Sequence, residues 1–283
     1  LDTSPVFAAR LHECADALAP YTDWSLIDVI TGAPEAPSLD RVDVLQPTTF
    51  ALMVSLAALW QANGIHPDAV IGHSQGEIAA AHVAGHLTLP TAAKIITLRS
   101  QTIAHHLTGH GAMMSILTTQ EWAQEALAPW HGRLWIAAVN GPTSLSISGD
   151  PDALTEFGKA LSKAKVYRWQ LPGVDFAGHS GHVDTIKNQL HQTLDGVTAT
   201  PGHIAWMSTV NADWADPTHI NADYWYRNLR DTVHFEQGTQ ALLTQGYRTF
   251  IEISTHPVLT TAIQDTTETH PEERATITGT LRR

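Results

Sequence analysis

Apolar residues along this chain follow helical spacing in some stretches and strand-like runs in others, and the switches between the two mark out its elements. Ser4-Pro5 sets a capping hydroxyl and a proline at a helix start, after which Leu11, Cys14, Ala15 and Leu18 keep the three-four spacing of one apolar face. Residues 31–39, rich in glycine and proline, read as loop, and the nearly all-apolar residues 47–63 predict a central helix closed by Gly64. Residues 68–72 form a short apolar run ending in glycine, and residues 77–84 form an alanine-rich helix stopped by Gly85. That is a strand, a tight turn and a helix. A further helix is expected over residues 90–107.

From Gly111 the pattern changes. It reads as strand (112–117), helix (120–129), two strands (134–139 and 144–148), helix (151–164) and strand (166–171), and the order βαββαβ is the ferredoxin-like signature. After Pro172 the larger pattern resumes, with apolar strands at 204–208 and 250–253 and a helix between them. The expected fold class is α/β: a large domain of residues 1–110 and 172–283, with a small ferredoxin-like subdomain of residues 111–171 inserted in it. No internal repeat or low-complexity tract interrupts it.

Composition narrows the function classes. With 283 residues and 43% apolar content the chain can bury a full core, which excludes disorder. Only 16% of residues are charged and the formal net charge is −12, so nucleic acid is not an expected partner. The single cysteine, Cys14, cannot form an internal disulfide, and no charged stretch followed by an apolar run reads as a signal peptide. A cytoplasmic enzyme is expected. The most apolar helical stretch, residues 50–60, falls short of the roughly 20 residues of a membrane span, so it reads as a buried helix and no membrane partner is expected. His106 and His110 have helix-face spacing, but no cysteine or nearby carboxylate completes a set, so no metal is expected.

The candidate chemistry lies in Gly72-His73-Ser74-Gln75-Gly76, a G-x-S-x-G elbow in which glycines on either side allow a strained turn that thrusts the serine hydroxyl outward. The pattern alone is common. An apolar strand directly before it and a helix directly after it supply the context it requires, and they make Ser74 the candidate nucleophile, with the Gln75 amide and the helix N-terminus beside an oxyanion. Seventeen histidines leave the general base open. His73 adjoins the serine but points elsewhere in such a turn. His179, in Asp175-Phe176-Ala177-Gly178-His179-Ser180, has small neighbours that would let an imidazole approach the elbow.

Gly72-His-Ser-Gln-Gly-Glu-Ile-Ala-Ala-Ala-His-Val-Ala-Gly85, Arg41-Val-Asp-Val-Leu-Gln46, Val139-Asn-Gly-Pro142, Ser148-Gly-Asp150, Tyr224-Trp-Tyr-Arg-Asn-Leu-Arg230 and His256-Pro-Val-Leu259 together resemble the acyltransferase domains of modular type I polyketide synthases, in the malonyl-CoA:acyl carrier protein transacylase superfamily. The resemblance covers nearly the whole chain and implies an α/β-hydrolase-like large domain. It also implies ping-pong transfer of a carboxylated acyl unit from a CoA thioester to the phosphopantetheine arm of an acyl carrier protein, with no bound cofactor and a neighbouring ketosynthase domain. By that resemblance Ser74 is the nucleophile, His179 the base, and the backbone carbonyl of Asn228 orients His179, so that Asp175 is structural. Arg99, twenty-five residues after Ser74 in Leu98-Arg-Ser-Gln101, matches the carboxylate-binding arginine; a guanidinium fork pairs bidentately with a malonyl-type carboxylate. Gln46, His73, Phe176 and Gly178 match positions near the substrate.

Two departures qualify the resemblance. The family begins with a Gly-Gln-Gly-type loop that supplies half of the oxyanion hole, and nothing like it precedes Leu1, which suggests a fragment lacking an N-terminal strand. Residues 41–46 and Gln75 resemble the methylmalonyl-selecting branch, yet Phe176-Ala-Gly-His179 replaces the usual Tyr-Ala-Ser-His, and the missing side chain at Gly178 predicts room for ethyl or a larger α-substituent. A serine esterase or thioesterase shares the elbow and histidine and is the main alternative, and a non-catalytic interaction fragment is the third. Lys159, Lys163, Lys165 and Arg168, a positive cluster on an acidic chain, are the expected docking surface for the carrier protein.

Overall fold

The computed structural model describes residues 3–270, 272 and 274–281. Residues 1, 2, 271, 273, 282 and 283, all in the expected large-domain segments, lie outside the described residues. Helix α1 (Pro5–Leu18) starts with proline as expected, although Ser4 at the N-cap makes no capping bond with its side chain. A short helix α2 (Leu26–Thr31) leads to α3 (Val42–Ala62), which begins five residues earlier than its sequence suggests. Pro47 lies inside that helix rather than at its start. It gives up only one bond near the N-terminal end, while Val42 and Val44 gain burial and Asp43 sits in the first turn.

The extra turns make α3 long and apolar enough to cross a membrane, with a mean hydropathy of 1.5, which corrects the shorter stretch read from sequence. Half of that stretch is buried inside the fold, packed on α1 and on the helices that follow. Strand β1 (Ala69–Ile71) then turns at Ser74 into α4 (Gly76–Val83), and α5 (Leu89–His106) follows. Gly85, with φ of +84°, supplies the left-handed residue that ends α4. One core joins these helices through Leu11, Phe50, Ile78, Ile95 and Trp206.

The small lobe runs β2 (Ala112–Leu117), α6 (Gln120–Leu127), β3 (Leu134–Gly141), β4 (Ser144–Gly149), α7 (Pro151–Lys163) and β5 (Tyr167–Gln170). Its strands lie in the order β5-β2-β4-β3, all antiparallel, which is the ferredoxin-like arrangement. Met114, Ile116, Leu145 and Ile147 face α6 and α7 in its core, with Phe157 and Leu161 opposite.

The chain returns through α8 (Lys187–Thr193), β6 (Ala205–Ser208), β7 (Asp213–Trp214), α9 (Ala222–Arg230), β8 (Val233–His234), α10 (Phe235–Thr244), β9 (Thr249–Glu252), α11 (Thr260–Glu268) and β10 (Thr276–Gly279). Two helices, not one, therefore separate the strands expected at 204–208 and 250–253. β1 pairs in parallel with β6, and β9 with β10. β8 adds in parallel to β3, so the small lobe's sheet continues into the returning chain. This hydrogen-bonded junction holds the loop after β5 and the end of α9 close to the elbow.

Candidate active site

Ser74 has φ of 53°, in the left-handed region that crowds an L side chain. The turn is closed by the Gly76 N–H donating to the His73 carbonyl (2.8 Å) and the Glu77 N–H donating to the Ser74 carbonyl (3.1 Å). A Cβ on Gly72 would stand 2.4 Å from the Glu77 backbone nitrogen and Cα, so only glycine lets α4 begin this close to β1. Gly76 is different: a Cβ there would meet nothing within 4 Å. Of the two glycines in the motif, one is sterically required.

His179 reaches the elbow from the loop after β5, and its Nε2 lies 2.8 Å from Ser74 Oγ. Its own φ is 55°, and its N–H donates to the Leu229 carbonyl at 2.7 Å. Nδ1 lies 2.8 Å from the carbonyl oxygen of Asp231. A carbonyl only accepts, so Nδ1 carries the proton and Nε2 accepts from the serine. The orienting residue is therefore Asp231 and not Asn228. Asn228 lies inside α9, whereas Asp231, just past its end, has extended backbone that turns its carbonyl toward the imidazole. Burial pushes the His179 pKa down to about 3, the Asp231 carbonyl opposes this, and the charges of Arg99 and His73 add to the lowering. Asp175 contributes only its carbonyl, which accepts from the N–H groups of Gly109 and Gly111.

Arg99, on α5, is 1% exposed. Its Nη1 donates to Asn228 Oδ1 at 2.9 Å, its Nε is buried without a partner, and no carboxylate pairs with it among the described residues. Burial lowers its pKa to about 10, opposed by the negative Glu77, so it stays charged at neutral pH. Asn228 Nδ2 donates to the Ser74 carbonyl (3.1 Å) and to Glu77 Oε2 (2.9 Å). Glu77 is wholly buried and also accepts from Tyr224 Oη (2.7 Å), Thr209 Oγ1 (3.1 Å) and the Thr209 N–H. Burial raises its pKa and these donors draw it back. Glu77, Tyr224 and Thr209 escaped the sequence reading. The one signal was a carboxylate opening an otherwise apolar, alanine-rich helix.

Other expected residues fall around this centre. His73 Nε2 bonds Asn140 Oδ1 at 2.8 Å and the ring sits edge-on to Phe235, while burial lowers its pKa. Gln46, on α3, is buried with Oε1 unpartnered, as is the side-chain oxygen of Gln75. The Gln75 N–H has no acceptor among the described residues. Ser148 Oγ donates to the Gly178 carbonyl at 2.7 Å and ties the histidine loop to β4. The room expected beside Gly178 is not open, because a Cβ there would lie 3.2 Å from Phe176 Cε2. Phe176 occupies the volume that the absent side chain vacates. Lys159, Lys163, Lys165 and Arg168 are exposed on the small lobe. An open groove of about 830 Å³, lined by Trp24, Asp28, Glu35 and Arg41 among others, includes none of the reacting residues.

The acyl transferase domain family model matches residues 1–283. Polyketide synthase GfsA of Streptomyces halstedii is 49% identical over 279 residues, which make up 99% of this chain and 4% of that protein. The mycoketide-CoA synthase of Mycobacterium tuberculosis is 49% identical over 94% of this chain and 6% of its own length. The chain thus spans a small fraction of the curated relatives it matches. Among solved structures, the acyltransferase domain from module 8 of the salinomycin polyketide synthase aligns with a TM-score of 0.96 at 47% identity, covering 99% of this chain and 66% of that one. A loading acyltransferase from the avermectin modular polyketide synthase aligns at 0.95 and 43%, covering 100% and 88%. FabD from Acinetobacter baumannii, 21% identical with a TM-score of 0.85 and coverages of 98% and 87%, shares the fold. The chain belongs to the acyl transferase domain family, and within it to the acyltransferase domains of modular polyketide synthases.

Proposed function

We propose that this domain transfers an α-alkylmalonyl unit from coenzyme A to an acyl carrier protein through an ester on Ser74. The observation that carries the proposal is a Ser74 Oγ–His179 Nε2 contact of 2.8 Å beside a buried guanidinium that forms an ion pair with no carboxylate among the described residues. His179, neutral and held by the Asp231 carbonyl, takes the serine proton as Oγ attacks the thioester carbonyl. The Gln75 N–H and the N-terminus of α4 face the oxygen that becomes negative. The C–S bond breaks, and the departing thiolate takes the proton from His179. The carrier's phosphopantetheine thiol then gives its proton to His179 and attacks the ester; the C–Oγ bond breaks, and Ser74 Oγ takes the proton back from His179.

Arg99 holds the far carboxylate, with Gln46 and His73 bordering the acyl unit. Methylmalonyl fits the motif set best. An ethyl or larger substituent requires the Phe176 ring to leave the space beside Gly178, which no side chain at 178 opposes. On this reading the acceptor approaches between a large domain of residues 1–110 and 172–283 and a small one of residues 111–171, and a ketosynthase domain is the neighbour in the synthase.

Intact-mass measurement after brief exposure to acyl-CoAs tests this reading. Methylmalonyl-CoA should leave one acyl adduct, stable until carrier protein is added and absent in Ser74→Ala. An adduct surviving that substitution, faster labelling by propionyl-CoA, or rapid loss of the adduct to water would overturn it, the last in favour of a hydrolase.

A further inference from the structure

A buried arginine with one hydrogen-bonded arm and an unpartnered Nε needs something to fix its direction, and here one side chain does so. Arg99 only donates, so the oxygen of the Asn228 amide must face it. That sets the amide nitrogen toward two acceptors, the Ser74 carbonyl at 3.1 Å and Glu77 Oε2 at 2.9 Å. The flipped amide would oppose its N–H groups to a guanidinium and its oxygen to a carboxylate and a carbonyl. One orientation satisfies every atom.

The amide therefore stands between Arg99 and Glu77. Glu77 is a fixed post, since Tyr224 Oη and the Thr209 hydroxyl and N–H also hold its two oxygens. Without the amide, the hydrogen bonds that hold it between the buried cation and the buried carboxylate are lost, and opposite charges in a low-dielectric interior attract strongly. A contact ion pair would draw the guanidinium away from a ligand. We propose that Asn228 is the positioning residue for donor selection: it keeps Arg99 off Glu77 and ties it to the nucleophile's own carbonyl, so that the remaining guanidinium donors face the donor's carboxylate. The inference rests on the reading of Arg99 as the carboxylate-binding residue.

The test compares acylation rates of the full chain by methylmalonyl-CoA and propionyl-CoA, taken as a ratio, in Asn228→Ala, Arg99→Ala and the double variant. Asn228→Ala should lower the ratio about tenfold or more, with the methylmalonyl rate carrying most of the loss. Added to Arg99→Ala it should change the ratio no further, because a residue acting through Arg99 has nothing left to act on. Asn228→Asp keeps the shape but sets a carboxylate against Arg99, and it should also lower the ratio; it decides the matter if the alanine variant does not fold. Equal slowing of both donors, or a full effect of Asn228→Ala in the Arg99→Ala background, would overturn the inference while leaving Arg99's role standing. An unchanged ratio in Arg99→Ala would remove the carboxylate-binding reading itself, and this inference with it.

Discussion

His179 combines two features that its residue type alone does not reveal, a left-handed backbone and a pKa driven down by burial to about 3. The imidazole is thus neutral throughout the neutral range and available as a base, so the acid limb of acylation should lie well below pH 6.5. Stopped-time mass measurements between pH 5 and 8 should give a nearly flat rate, and a limb centred near 6.5 would contradict the buried-base account. The same depression bears on stability. A folded pKa below the unfolded value means that the unfolded chain binds more protons, so stability held above pH 6.5 is lost as pH falls toward 3. Urea titrations should show a shallower acid loss for His179→Gln than for the parent chain. Ser74 was marked in the sequence by its elbow motif, whereas His179 was one open candidate among seventeen histidines until the family resemblance singled it out, as it did Arg99. The Asp231 carbonyl was not legible, since which backbone oxygen reaches an imidazole depends on where α9 stops.

Elements with a clear period were the legible ones: the strand expected over 112–117 is β2 residue for residue, and α5 differs from expectation by one residue at each end. β7 and β8 have two residues each, too few to show any period, and both are defined by their partners, β6 and β3. Pro47 misled the start of α3 because a helix-initiating proline and one tolerated in the second turn look alike in sequence. The elbow yields an element-level prediction. Gly72→Ala would press a Cβ onto the Glu77 backbone and should cost about 1–3 kcal/mol, as overpacking does. Gly76→Ala, in open space at the first position of α4, should be neutral or stabilising by up to about 1 kcal/mol. Thermal unfolding of the two variants checks this, and equal losses would mean that both glycines are needed for the turn.

Across the whole molecule, the proposed carrier-protein partner meets a chain of formal charge −12 whose small lobe carries a local cluster of cations. Lys159 and Lys163 project from α7, Lys165 follows it and Arg168 lies on β5, all exposed and without an ion pair among the described residues. β5 is an edge strand that pairs with β2; its Tyr167 and Trp169, 78% and 48% exposed, alternate to the face opposite Arg168, whose side chain lies beside Gly158 of α7. The loop that follows β5 leads directly to His179, so a carrier seated here stands at the strand that feeds the reacting centre. Lys159→Glu with Lys163→Glu should raise the apparent KM for carrier protein several-fold at low ionic strength and less at high salt, where the Debye length shrinks to about 3 Å at 1 M. Self-acylation from acyl-CoA should not change, because neither lysine touches the Ser74–His179 pair. Transfer to the carrier that is unaltered at low ionic strength would assign docking to another surface and leave the cluster as a solubilising face.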